Sequence, residues 1–268
     1  MPGSLSRIAR CANSSARTLS STINSNYQQQ AFGADPDFPA YGRSNDETTW
    51  QFKYAVGLNK AFFGKNRTII QLFGETRSGR RYSYTMRDNV TTRSSVFGTV
   101  LNQSNHLLYV PTGLDDARVS YDTATTANDL NALIEDSPLR KYRGRIAAKN
   151  IARSRAFTRI DLHVEQEVPT GIGDSRVSLF ADVENLPNLI DKDWGGLRQL
   201  GFPYLSPTVN VQCLQTAVPT GTPAVALAAN TSQPCAQYRY SSFTPPNDAA
   251  PQLDRSVYLI RVGARFTF

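Results

Sequence analysis

The chain has 268 residues and a net charge of +7, with lysine and arginine outnumbering the acids and only two histidines. Mean hydropathy is negative, and no run approaches the roughly 18 apolar residues that a membrane helix needs. That argues against a helical membrane protein and leaves alternating strands open. The basic residues are scattered, as in Arg80-Arg81, Arg140-Lys141 and Arg153-Ser154-Arg155, with no RNA-binding aromatic signature, basic helix or zinc-finger spacing beside them. Nucleic acid is therefore not an expected partner.

Residues 1–48 are polar, rich in Ser and Asn, and reach Asp35-Pro36-Asp37-Phe38-Pro39 without a sustained period, so they read as irregular. Arg7, Arg10 and Arg17 are followed by no apolar stretch of the kind a secretory signal carries. The expectation is that this is part of a longer protein, divided into an irregular segment, 1–48, and a strand-rich portion, 49–268.

The first strong strand is expected at about 50–63. Trp50, Phe52, Tyr54, Val56 and Leu58 alternate with Gln51, Lys53, Ala55, Gly57 and Asn59, and a period of two places them on opposite faces. Gly64-Lys65-Asn66 is a turn signal, and a return strand follows at about 67–78, with Ile69 and Phe73 on its more polar face. Arg81-Tyr82-Ser83-Tyr84 reads as an extension of that strand. Residues 79–156 are otherwise a long mixed segment, with a short apolar run at 107–110 and a short helix at 129–135. A connection that long without regular structure is usually functional or mobile.

The clearest hairpin comes next, at about 157–168 and 175–186. Ile160, Leu162, Val164 and Val168 oppose Arg159, Asp161, His163, Glu165 and Glu167; Val177, Leu179, Ala181 and Val183 oppose Arg176, Ser178, Asp182 and Glu184. Phe180 is the apolar intruder on the polar face, and Pro169 to Asp174, with Gly171 and Gly173, supplies the turn. Residues 189–253 read as a second long irregular segment. Cys213 and Cys235 flank a Pro/Ala/Thr-rich stretch and are a possible loop disulfide, which suits an oxidising compartment; two free thiols are the alternative, and Cys11 is left over.

The last strand is expected at 256–268. Tyr258, Ile260, Val262, Ala264, Phe266 and Phe268 share one face, against Arg261, Gly263, Arg265 and Thr267. One face suits hydrocarbon and the other water, and a terminal aromatic suits a membrane interface. Tyr258, Ile260, Val262, Phe266 and Phe268 are therefore the expected membrane-facing signature.

Strand direction follows from connection length. Outer-membrane barrels have short periplasmic turns and longer extracellular loops. With Phe268 at the periplasmic rim, both short turns fall in the periplasm and both long segments fall outside, with no parity error. The expected fold is all-β: about five strands of a larger antiparallel transmembrane barrel, with long extracellular loops.

Charged residues on the strands invite an acid/base reading, with Asp161, Glu165, Glu167, Asp182 and Glu184 as a cluster. A polar lumen wall balanced by Arg159, Arg176, Arg261 and Arg265 is the simpler reading. His106 and His163 are too few and too scattered for a zinc site, and no phosphate-binding loop or nucleophile elbow is present. No catalytic residue, cofactor or metal is expected. Arg80, Arg81, Tyr82 and Trp194, on expected outer loops, are the candidate ligand contacts. Asn102 to Val110 is a further aromatic-bearing outer segment, with ordinary loop packing as its simpler reading.

Several short motifs occur in an order that resembles the TonB-dependent outer-membrane receptors. Phe180-Ala181-Asp182-Val183-Glu184-Asn185-Leu186-Pro187-Asn188 looks like that family's penultimate strand, which ends in a hydrophobic-Asn-Leu-hydrophobic-Asn motif; a proline stands here at the second apolar site. Arg159-Ile160-Asp161-Leu162 looks like the strand before it, and Arg265-Phe266-Thr267-Phe268 like the family's ending. Phe73 to Thr85 and Lys141 to Ala147 are similar to the Oar-like branch, whose members bear a carboxypeptidase-regulatory domain. The resemblance covers most of residues 45–268. It implies a barrel of about 22 strands with a plug, ligand uptake across the outer membrane of a Gram-negative bacterium, and TonB as a partner through an N-terminal part. The plug and most strands are not in this chain, so transport by the chain alone is not expected. The ligand class is left open by the loop sequences. Two rival readings are a secreted or surface β-sandwich for binding or adhesion, which would bury the same alternation, and a soluble enzyme.

Overall fold

A computed structural model describes residues 6–7, 13–14, 31, 40–88, 96, 104–173, 175–228, 233–248 and 250–268. Cys11, the Asp35–Pro39 stretch, Asn102 and Asp174 lie outside them. The described chain is mostly β-sheet and is divided between two main sheets.

The first sheet holds β1 (Gln51–Phe63), β2 (Asn66–Arg77), β6 (Phe157–Pro169), β7 (Arg176–Glu184) and β10 (Leu259–Thr267), side by side in chain order and antiparallel throughout. The two-residue segment Ser6–Arg7 pairs with β1 at one edge. The opposite edge is β10, so the sheet is open rather than closed into a barrel.

Register makes the alternation of the sequence into two chemically distinct faces. Val56, Leu72, Leu162, Val183 and Ile260 form one cross-strand row, and Leu58, Ile70, Val164, Ala181 and Val262 the next. Directly opposed residues share a face, so these rows carry aliphatic side chains across all five strands. Gly57, Gln71, His163, Asp182 and Arg261 form the intervening row on the other face. A slip of one residue in any strand would exchange its faces.

Two glycines hold this register where an aromatic ring must lie flat. Phe180 stands opposite Gly263, and a Cβ on Gly263 would lie 2.4 Å from the Phe180 ring. Tyr54 covers Gly74 on the apolar face in the same way, at 2.0 Å. A ring laid over a strand glycine shields backbone that has no side chain of its own. The intrusion of Phe180 on the polar face thus has a partner across the strand.

The second sheet is built from the two long connections. Its order is β5 (Ala152–Arg153), β3 (Arg81–Arg87), β8 (Leu205–Leu214), β9 (Gln237–Ser241) and β4 (Val119–Tyr121), with His106–Leu107 also paired to β3. β8 runs parallel to β3, and β9 parallel to β4. The expectation of two long irregular loops is therefore corrected. Residues 81–87 do not extend β2; the chain leaves the first sheet after Arg77, and they form an interior strand of the second.

This cap has its own core. Tyr84, Leu108, Val110, Val209, Val211 and Tyr240 are buried together with the inner face of α1 (Ala124–Glu135). Ala127, Leu130 and Ile134 recur at helical spacing and face inward. The Thr123 side chain caps the helix by accepting from the Thr126 N–H, which starts it earlier than the sequence suggests. Each large buried side chain contributes about 1.5–3 kcal/mol. Cys213 and Cys235 form a disulfide, with 5.3 Å between their Cα atoms, and tie β8 to the segment before β9.

Candidate functional site

The apolar face of the first sheet is bare. Among the described residues, no large apolar side chain of β1, β2, β6, β7 or β10 is buried, whereas the core lies wholly in the connections. Val262 is 78% exposed, Val56 66% and Leu179 50%. A soluble monomer rarely exposes an apolar patch beyond a few hundred Å², and a sheet of a sandwich would have this face packed on another.

Aromatic residues bracket the aliphatic rows. At the end bearing the long connections, the Trp50 and Phe52 rings lie 5.6 Å apart, and exposed Tyr258 precedes β10. At the end bearing the short turns, Phe266 and Phe268 lie 5.6 Å apart, and Phe62 and Phe63 are exposed. Polar residues enter this face at its two ends: Thr158 donates to Thr76 at 3.2 Å near the long connections, and others lie near the short turns. Thr68 donates to Gln166 there at 2.5 Å, and the Lys60 amine lies 5.5 Å from the Phe62 ring centre. A long basic side chain can keep its charge at an interface while its stem stays apolar.

The opposite face is a charged wall. Arg159 donates to Asp161 at 2.9 Å and to Glu184 at 2.7 Å, and Arg261 reaches Glu184 from β10 at 2.5 Å. His163 Nδ1 lies 2.6 Å from Asp182, and its Nε2 lies 3.5 Å from Glu165. Arg176 pairs with Glu167 at 3.3 Å. Each carboxylate of the expected cluster thus engages a basic partner in its own or an adjacent row. A wall of balanced, half-exposed charge suits contact with water or a polar filling. Among the described residues, no three His, Cys, Asp or Glu side chains gather as a metal site, and no helix is long and apolar enough to cross a membrane.

The Asn-Leu motif joins sheet and cap. Asn185 takes a left-handed conformation, φ 56°, and ends β7. Its backbone N–H donates to Asp161 on the charged wall at 2.8 Å, and its side-chain amide donates to the Ser256 carbonyl at 2.6 Å. Asn188, in α2 (Leu186–Ile190), donates to the carbonyls of Lys192 and Trp194. The two asparagines thereby fix the strand end, the following turn and the entry to β10.

Candidate contacts fall in different surroundings. Arg81 and Tyr82, expected as ligand contacts, are buried, at 9% and 4% exposure. Tyr82 packs edge-on to Tyr84. Arg81 pairs with Glu47, which also accepts from Arg43 at 2.6 Å and from Thr49 at 2.9 Å. Burial alone raises the Glu47 carboxyl. Hydrogen bonds from Thr49, Arg81 and Arg43, with the Arg81 charge, outweigh it and hold the group below its ordinary value. Arg80 lies 4.6 Å above the Tyr204 ring and pairs with exposed Asp46. Trp194 is exposed, beside Arg155 and Arg198. Of the Asn102–Val110 segment, residues 105–110 are buried in the cap, so the ordinary packing reading holds for them.

Sequence reasoning missed two features. Glu47 sits in a polar segment with no period, and only its partners reveal its role. The cap also contains a cleft lined by Met86, Tyr109, Arg118, Arg145, Ile146 and Tyr238, assembled from segments far apart in sequence. The chain matches no family model, no curated protein and no solved structure.

Proposed function

We propose that this chain is part of the β-barrel wall of an outer-membrane receptor of the TonB-dependent kind, which takes up a ligand from outside a Gram-negative cell. The observation that carries this reading is the bare apolar face, bracketed by aromatics and backed by a charged wall. Hydrocarbon outside and a polar lumen inside account for both faces at once. Strands of 13, 12, 13, 9 and 9 residues suit the bilayer. The cap forms the extracellular part, where a disulfide persists.

The open edges define the partners. Unpaired backbone at β10 and along most of β1 is unfavourable in lipid, so further strands of the same barrel complete the sheet. A plug fills the lumen against the charged wall, and TonB acts on the N-terminal part of the complete receptor. Resemblance in the strand motifs supports the family, and the disulfide supports the oxidising side of the membrane.

The test is membrane fractionation of the natural gene product. The receptor reading expects it in the outer membrane, extracted only by detergent, with gel migration that changes on heating. A monodisperse monomer in detergent-free buffer would overturn that reading in favour of a secreted or surface module.

A further inference from the structure

The cap also holds a cleft that no role described so far uses. It opens between the end of β3, the Tyr109 segment, the Gly144–Ile146 turn and the start of β9. Tyr109 and Tyr238 stand with ring centres 6.2 Å apart and planes at 59°, and Met86 and Ile146 add apolar surface. Such a lining suits a flat apolar body: aromatic rings favour tilted or offset partners, and a thioether packs well against a ring.

Charge at the cleft is one-sided. Arg118 and Arg145 line it, and among the described residues no acid does. Among the described residues, neither guanidinium has a carboxylate within ion-pair distance. Asp116, two residues before Arg118, is already occupied. It accepts from the Tyr109 hydroxyl at 3.0 Å and from the backbone N–H groups of Thr112 and Arg118 at 2.8 and 2.9 Å. Arg145 is held in place without being neutralised: it donates to the Lys141 carbonyl at 2.6 Å and lies 4.9 Å above the Tyr142 ring centre. Arg118 lies 6.0 Å from the Tyr109 ring centre.

We propose that this cleft binds a small aromatic carboxylate, its ring beside Tyr109 and Tyr238 and its carboxylate between Arg118 and Arg145. A guanidinium presents a fork of donors that matches a carboxylate, and charge-assisted hydrogen bonds are the strong ones. The tyrosine pair supplies the apolar contact and the arginines supply the selection for charge. The Cys213–Cys235 disulfide forms part of one wall, since Cys235 lines the cleft beside Gln237. The cleft lies wholly in the cap, so its occupancy is read independently of whether the sheet sits in a bilayer.

Calorimetry of the full chain in detergent with 4-hydroxybenzoate, and with neutral 4-hydroxybenzamide, tests it. The acid is expected to bind at least about tenfold more tightly than the amide. Arg118→Gln and Arg145→Gln are each expected to lower acid affinity about tenfold and to leave amide affinity unchanged. Arg118→Lys, which keeps the charge but loses the fork, is expected to fall between. Tyr238→Ala weakens both compounds. Unchanged amide binding and unchanged circular dichroism show that the arginine variants are folded. Equal affinity for acid and amide, failure of the wild-type protein to bind the acid, or arginine variants that bind it normally would each overturn the proposal.

Discussion

Val262 in the first sheet and Val211 in the cap are the same side chain in opposite surroundings: one is 78% exposed and the other 1%. The difference extends to the regions around them. The cap folds like a water-soluble domain, with Tyr84, Leu108, Leu130, Val209 and Tyr240 packed together. The sheet instead spreads its aliphatic rows across an uncovered face and pairs the carboxylates of β6 and β7 with basic partners on the other. Hydrophobic burial can therefore account for the cap from within the chain. The sheet has no such cover among the described residues, and its internal order comes from backbone ladders and cross-strand pairs.

The largest effect that separates the regions comes from the cap. Tyr240 is fully buried and donates its hydroxyl to the Tyr109 carbonyl at 2.9 Å. Tyr240→Ala is expected to destabilise the cap by about 3–5 kcal/mol. Near-ultraviolet circular dichroism with urea will register this loss, while strand content of the sheet persists in detergent. Joint loss of both regions at one urea concentration would break the comparison.

A smaller effect belongs to the junction. Glu47 is held below its ordinary carboxyl value, so it favours the folded state above the unfolded group's titration range. That contribution falls away as pH drops through the lowered folded value. Glu47→Gln is expected to cost about 1.5–3 kcal/mol at neutral pH, by removing the charged acceptor of Arg81 and Arg43. The gap between wild type and variant then closes as pH falls below the ordinary carboxylate range. A gap independent of pH would show that the Glu47 charge does not hold the junction.

The smallest effect tests the sheet itself. A Cβ at position 263 would meet the Phe180 ring at 2.4 Å, and overpacking of this kind costs about 1–3 kcal/mol. Gly263→Ala is expected to lower urea resistance in lipid vesicles by that amount, and Phe180→Leu to restore part of it. No effect of Gly263→Ala would mean that cross-strand shape does not order the bare sheet.

The five long strands were legible because each separates polar from apolar residues with a period of two, and the structure places their ends within three residues of expectation. The charged wall was legible for the same reason, including Phe180 and Phe73 as intruders. The cap was not. β3 is buried on both faces, so Tyr82, Tyr84 and Met86 are enclosed along with Ser83 and Thr85 and no solvent face marks the strand. In β8, Val209, Val211 and Cys213 do alternate, but Pro207 interrupts the local strand pattern. The structure accommodates it by a register shift between Pro207 and Val209. The outer partners of β8 and β9, β3 and β4, are also distant and parallel, a pairing that no local pattern reports. The burial of Arg81 and Tyr82 was hidden for a related reason: basic and aromatic neighbours resemble a surface, and only Glu47 and the packed Tyr84 account for it.

The claim that hydrocarbon covers the apolar face is tested most directly by spin labels placed singly at residues 260 to 266, with Cys11→Ser and the disulfide intact, on the natural gene product in lipid bilayers. The account predicts that labels at 260, 262, 264 and 266 collide with oxygen and are shielded from a water-soluble nickel complex, while labels at 261, 263 and 265 show the reverse. Nickel access at Val262 equal to that at Arg261, or protection of both faces from both reagents, would contradict it.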